Sequence, residues 1–183
     1  MTYTTRLVAA GDEAEISDYY SRNFAHFKPW QPTRPPGFDS LDNWKARLPK
    51  ILTLHEERQA AFFVIEHSGV ASQSIVGHCS LSQIYYGPFC ACYLGYGLDE
   101  KNQGRGIMSA SLQQVIGFAF DQLRLHRIMA NYMPHNLRSA AVLKGLGFKI
   151  EGKAEKYLAI DGQWQDHILT SLTNHQSAPD LFL

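Results

Sequence analysis

Residues 96–112 read YGLDEKNQGRGIMSASL, and their reading decides the fold. An apolar run that begins near residue 89 ends at Leu98, a polar turn with two glycines follows, and a helical pattern starts at Ile107. Glycine lets a backbone approach a ligand closely, and the first turn of a helix offers N–H groups without intrahelical acceptors at the positive end of its dipole. Strand, glycine turn and helix in that order make either an anion site or a plain tight turn. The segment is not a Walker A loop, since it lacks the Gly-Lys-Ser/Thr ending, nor the Rossmann fingerprint, which needs a third glycine and a downstream acid. Its surroundings favour a phosphorylated ligand: residues 101–149 hold seven bases, Lys101, Arg105, Arg124, Arg127, Arg138, Lys144 and Lys149, against the single acid Asp121. A solvated basic face is the competing explanation.

Downstream, Ile107, Met108, Leu112, Val115, Ile116, Ala119, Phe120 and Leu123 recur at helical spacing, which predicts a long amphipathic helix. RIMANYM (127–133) reads as a strand and LRSAAVLKGLGF as a short helix capped by Asn136 and ended by Gly147. Two strands, at about 148–160 and 163–172, surround the hairpin signal Asp161-Gly162. Upstream, AAFFVIEH (60–67), SIVGHCSLSQIY (74–85) and FCACYLGYGL (89–98) form an antiparallel meander. Before them come a strand at TRLVAA (5–10), a helix over residues 12–27, and the irregular stretch KPWQPTRPPGFDS (28–40) with four prolines. Ser40 caps a second helix running to about Glu57, which Pro49 should bend. The order predicts an α/β protein with a mixed, mostly antiparallel sheet of about seven strands and about four flanking helices.

The chain has 183 residues, enough for one domain with a sizeable core. Seventeen Lys and Arg balance seventeen Asp and Glu, which argues against a DNA binder that relies on bulk charge. Apolar residues make up 45% and charged residues 19%, the balance of a globular chain. No apolar run approaches the roughly 20 residues of a membrane span, and MTYTTRLVAA lacks the features of a secretory signal, so a cytoplasmic location is expected. Cys79, Cys90 and Cys92 fit no zinc spacing and read as reduced thiols, and the eight histidines show no metal pattern. Nothing in the sequence sets an oligomeric state.

Gln103-Gly104-Arg105-Gly106-Ile107, directly after a strand ending GYGLDE, resembles motif A of the GNAT acetyltransferases, which cradles the pyrophosphate of acetyl-CoA. The blocks ACYLGYGLDE, QGRGIMSASL, HRIMANYMPHN and YLAIDGQWQDH are similar to the bacterial ribosomal-protein N-terminal acetyltransferases of the RimJ/RimL branch, closest to the RimJ type that acetylates an N-terminal alanine. KPWQP near residue 30 fits that branch too, and Met108 stands where motif A commonly ends in Gly or Ala. The resemblance spans about residues 3–172. It implies the GNAT fold with a splayed sheet edge, a single domain at 1–173 and a short tail at 174–183. It further implies acetyl-CoA as cosubstrate, no metal, and as partner the N terminus of a small-subunit ribosomal protein, with pre-ribosomal particles as a further partner.

By position in the motif, the resemblance implies that backbone N–H groups of Gly104, Arg105, Gly106, Ile107, Met108 and Ser109, beside Gln103, hold the pyrophosphate. Leu98 would pair its backbone with pantetheine as an added strand. Asn131, Asn136 and Ser139 would lie along the pantetheine arm near the sulfur. On their own, Asn136 reads equally as a helix cap and Ser139 as a small packing residue.

Acetyl transfer needs a neutral amine, a polarised thioester carbonyl and a proton donor for the departing thiolate. Ser139 is the first candidate donor, with Tyr93 and Tyr96 as alternatives that also read as core aromatics. Backbone N–H groups where the strand YLGYG splays would polarise the carbonyl, with Gly95 and Gly97 permitting a distorted strand. Relatives that act on serine and threonine termini carry a glutamate in the strand before the final hairpin, where this sequence has Leu158, so no general base is evident. An α-amine of pKa near 7.8 is roughly 14% neutral at pH 7 and a lysine near 10.4 roughly 0.04%, so an N-terminal acceptor has a roughly 300-fold advantage. Trp30, held by rigid prolines, is expected either to wall the acceptor side or to plug the core.

Two other functions remain open on the sequence. One is acetylation of a small amine such as a polyamine or aminoglycoside, for which Glu66, Asp161 and Asp166 are the few acids near the expected site. The other is a ribosome-assembly factor whose binding role does not need catalysis.

Overall fold

Apolar residues that alternate along short strands, with turn residues between them, need a second layer to cover each sheet face. In the computed structural model, which describes residues 2–68 and 74–175, that layer is supplied on both sides. Strands β1 (Thr2–Leu7), β2 (Ala61–Ser68), β3 (Ser74–Tyr85) and β4 (Ala91–Leu98) form an antiparallel meander. β5 (Arg127–Tyr132) runs parallel to β4, and β7 (Gln163–Thr173) pairs antiparallel with both β5 and the edge strand β6 (Lys149–Ile160). The sheet order is β1-β2-β3-β4-β5-β7-β6. Helices α4 (Ile107–Gly117) and α5 (Leu137–Gly145) cover one face, where Cys92, Leu94 and Leu98 pack with Ile107, Leu112 and Leu143. Helices α1 (Glu13–Arg22) and α3 (Leu41–Glu56) cover the other, where Ile16, Tyr19, Tyr20, Trp44 and Leu48 pack on Val64 and Ile75.

Several expectations shift. The first strand lies at Thr2–Leu7, not 5–10, because Asp12 accepts a hydrogen bond from the Ala9 N–H at 2.8 Å and turns the chain there. The helix expected over 12–27 breaks at Asn23, whose side chain donates to the Tyr19 carbonyl at 2.9 Å, and resumes as the four-residue α2 (Phe24–Phe27). That segment makes five helices. Helix α3 is capped by the Ser40 side chain, which accepts from the Asn43 N–H, and it continues as one element through Pro49. The long helix leaves α geometry after Gly117 and finishes as a π turn over Phe118–Gln122. The tail expected at 174–183 lies, from residue 176 onward, outside the described residues.

The feature that positions the site is the join of β4 and β5. They pair only at Ala91, Cys92 and Tyr93 with Arg127, Ile128 and Met129, while β5 stays fully paired to β7 on its other side. From Leu94 to Leu98, β4 therefore has a free edge, and the two strands form a fork. The strand itself is not bulged there. Its register with β3 runs unbroken from Gly77↔Leu98 to Ser82↔Tyr93, which corrects the expected distortion at Gly95 and Gly97. Those glycines have a packing cause: a Cβ at Gly97 would lie 2.6 Å from His78 Cε1, and one at Gly95 3.0 Å from Ser80 Oγ.

Candidate functional site

The turn after β4 passes through a 3₁₀ segment at Glu100–Asn102 and enters α4 through Gly106. Gly104 and Gly106 have φ of 73° and 74°, the left-handed region that favours glycine, and a Cβ at either would meet nothing within 4 Å. The backbone is thus open to a ligand on that side. Ile107 and Met108 are buried, with Met108 Sδ 3.9 Å from Cys79 Sγ, so these residues can offer a ligand their backbone N–H groups while their side chains hold the helix to the core. Arg105 is exposed beside them. The Gln103 amide is held from both sides: its Nε2 is 2.9 Å from His26 Nε2 in α2, and its Oε1 accepts from Arg138 of α5 at 2.5 Å.

At the fork, Tyr96 of β4 and Ser139 of α5 share a hydrogen bond of 2.5 Å. Asn136 caps α5 by accepting from the Ser139 N–H at 3.1 Å, so the cap also fixes the serine. Burial pushes the Tyr96 phenol up to about 12, opposed by its bond to Ser139, and the phenol stays protonated at neutral pH. Two of the expected proton donors thus form one pair, on the same sheet face as α4 and α5.

Tyr93 does not join them. Successive strand residues face opposite ways, and Tyr93 and Asn131 sit on the other face. There Asn131 donates to the Tyr157 hydroxyl at 3.2 Å and accepts from the Thr170 N–H at 3.3 Å. The Tyr157 hydroxyl, followed by burial, pushes the Tyr93 phenol up. Asn131 thus lies on the opposite sheet face from the Ser139–Tyr96 pair. Tyr157 is absent from the sequence-derived candidates because it lies within a register shift between Ala154 and Leu158, where Lys156 has φ of 48°. Strand alternation carries no signal for such a bulge.

Trp30 lies in a 3₁₀ turn at Lys28–Trp30 and is 36% exposed, so it does not plug the core. Its ring centroid is 5.5 Å from that of His135, one residue before the α5 cap. Lys28 pairs with Asp161 at 3.8 Å, bringing the Pro-rich segment against the β6–β7 turn. Leu158 is 41% exposed and has no acid–base capacity. Cys79 and Cys92 are buried, and burial raises both thiols, Cys92 to about 12. Among the described residues no three His, Cys, Asp or Glu side chains gather to hold a metal.

Residues 5–149 match the acetyltransferase (GNAT) domain family. Ribosomal protein uS5-alanine N-acetyltransferase of Escherichia coli K12 is 42% identical over 174 residues, 95% of this chain and 89% of that protein. The solved structure of ribosomal-protein-S5-alanine acetyltransferase from Vibrio fischeri superposes with a TM-score of 0.94 at 42% identity, covering 98% of this chain and 97% of that one. RimJ of Mycobacterium smegmatis, solved in complex with CoA-disulfide, superposes with a TM-score of 0.87 at 28% identity, covering 98% and 85%.

Proposed function

The chain belongs to the GNAT acetyltransferase family, and on that premise we propose that it acetylates the N-terminal α-amine of an alanine-terminated ribosomal protein, uS5 being the first candidate. It is an acetyl-CoA-dependent N-acetyltransferase, and acetyl-CoA supplies the activated acetyl thioester. The observation that carries the assignment is the fork beside the glycine turn: an open β4 edge, N–H groups at the start of α4, and the Ser139–Tyr96 pair on one face. N–H groups from Gly104 to Ser109 hold the pyrophosphate, with Arg105 adding charge. The β4 backbone near Leu98 pairs with pantetheine as a missing strand would.

Ser139 donates the proton that the departing thiolate needs and takes one back from Tyr96; the attacking amine gives up a proton to water as the amide forms, and water returns one to the Tyr96 phenolate. The acceptor approaches from the Tyr93, Asn131 and Tyr157 side, with Trp30 as one wall. An acceptor terminus must be extended to reach the fork, a state available in a free or assembling ribosomal protein. We place the reaction in the cytoplasm, where such proteins are made. No helix of the described residues is long and apolar enough to cross a membrane.

A polycation acceptor would need several free acids, yet Glu66 pairs with Arg6, Asp161 with Lys28 and Asp166 with Lys153. That pairing favours a peptide amine. Intact-protein mass spectrometry of ribosomal proteins incubated with the enzyme and acetyl-CoA tests the reading: uS5 gains one acetyl group at its terminal alanine. Acetylation confined to lysines, or none, overturns it.

A further inference from the structure

The glycine turn is gripped by side chains from two helices. Asn23 breaks the first helical segment, and its amide donates both to the Tyr19 carbonyl and to Asp99 at the end of β4. The chain restarts as α2, and there the Nε2 of half-buried His26 lies 2.9 Å from Gln103 Nε2. The other end of the same amide faces α5, where Gln103 Oε1 accepts from Arg138 at 2.5 Å. A guanidinium only donates, so the amide oxygen points to Arg138 and the NH2 group to His26. His26 Nε2 is therefore the acceptor, and the ring carries its proton on Nδ1.

Gln103 directly precedes Gly104, so this contact holds the Arg138 guanidinium at the turn. Arg138 is exposed, and among the described residues no carboxylate lies within ion-pair distance of it. Asp99 is occupied by Arg22 and Asn23. Bound to a neutral carbonyl, Arg138 keeps its full charge and has further N–H donors for an anion. A carboxylate in place of the Gln103 amide would cancel the charge that it holds.

We propose that His26 is a positioning residue for the cofactor's pyrophosphate: it fixes the Gln103 amide, which presents the Arg138 guanidinium to the anion. The inference rests on the placement of the pyrophosphate at Gly104–Ser109. Without His26 the Gln103 side chain regains its rotamers, and the cost of ordering Arg138 falls on cofactor binding.

The test is a double-mutant cycle read by calorimetric titration of acetyl-CoA. Arg138→Gln weakens binding about tenfold, and His26→Phe, which keeps a ring but no acceptor, weakens it about threefold. In the Arg138→Gln background His26→Phe has no further effect, because the residue it orients is gone. His26→Gln restores an acceptor and recovers most of the affinity, and in turnover the His26→Phe loss falls on KM for acetyl-CoA rather than on kcat. Thermal unfolding checks the fold of each variant, and His26→Ala replaces His26→Phe should the latter not fold. Equal losses for His26→Phe in both backgrounds, full affinity in His26→Phe, or His26→Gln no better than His26→Phe would overturn the proposal. Gly106→Val tests the underlying placement separately. Unchanged acetyl-CoA affinity in that variant moves the pyrophosphate away from the turn, whereas affinity lost there and kept in His26→Phe overturns the role of His26 alone.

Discussion

The Ser139 hydroxyl is fixed from two directions, by its own N–H bound to Asn136 and by its oxygen bound to Tyr96. Under the proposed mechanism, a hydroxyl so held needs little reorganisation to donate when negative charge develops on sulfur. Ser139→Ala is expected to lower kcat about 100-fold with little change in acetyl-CoA affinity, measured by pre-steady-state turnover and calorimetry. Tyr96→Phe acts through the same proton, so the double variant should cost about as much as Ser139→Ala alone, a non-additive cycle. Additive losses would separate the two hydroxyls. In the sequence both residues were visible as candidates, but their union was not, because alternation along β4 fixes a face without saying which residue of α5 stands above it. Tyr93 illustrates the converse: two residues of even spacing would have shared a face, whereas Tyr93 and Tyr96 stand three positions apart and so face opposite sides.

At the scale of elements, the glycine turn was legible because its chemistry is local: positive φ at Gly104 and Gly106 and a helix start at Ile107 follow from residue type. Asp161-Gly162 was legible for the same reason, both residues adopting positive φ as a type I′ hairpin turn requires. The break at Asn23 and the bulge before Leu158 were not, since they depend on partners distant in sequence. Asn23 also reaches Asp99, and Lys156 N–H is bound by Asp166 at 2.9 Å. Gly106→Val forces a branched residue into left-handed geometry at the mouth of the ligand site. It should weaken acetyl-CoA binding at least tenfold while the protein remains folded, as calorimetry alongside circular dichroism will report.

The β3 residue His78 supplies a second element-level prediction. It is stacked on Phe62 and bonded to the Tyr19 hydroxyl at 3.0 Å, and burial, aided by Arg34, lowers its pKa to about 3. The unfolded chain takes up a proton on this residue below about pH 6.5, while the folded protein does not. Stability therefore falls as pH drops from about 6.5 toward 3. Urea unfolding at pH 7 and pH 5 should differ by up to about 2 kcal/mol from this group, and His78→Gln should show a correspondingly smaller difference. An unchanged pH dependence would show that the imidazole titrates normally.

Across the whole molecule, the sheet works as a partition. One face carries α4, α5 and the Ser139–Tyr96 pair, the other carries Tyr93, Asn131 and Tyr157, and the two meet only where β4 and β5 part. Such a partition lets two substrates enter from opposite sides and react in the gap. It also predicts that the walls can be altered independently. Trp30→Ala should raise KM for an alanine-terminated peptide and relax discrimination against larger first residues, with acetyl-CoA affinity constant; a change confined to thermal stability would make Trp30 structural. The most direct measurement of the central claim is kcat/KM, at pH 7 and fixed acetyl-CoA, for three acceptors: an alanine-terminated uS5 peptide, the same peptide with a blocked terminus and a free lysine, and spermidine. The account predicts that the free alanine terminus exceeds both others by at least about 100-fold, reflecting its larger neutral fraction and its fit to the fork. Equal or greater kcat/KM for the blocked lysine peptide or for spermidine would contradict it.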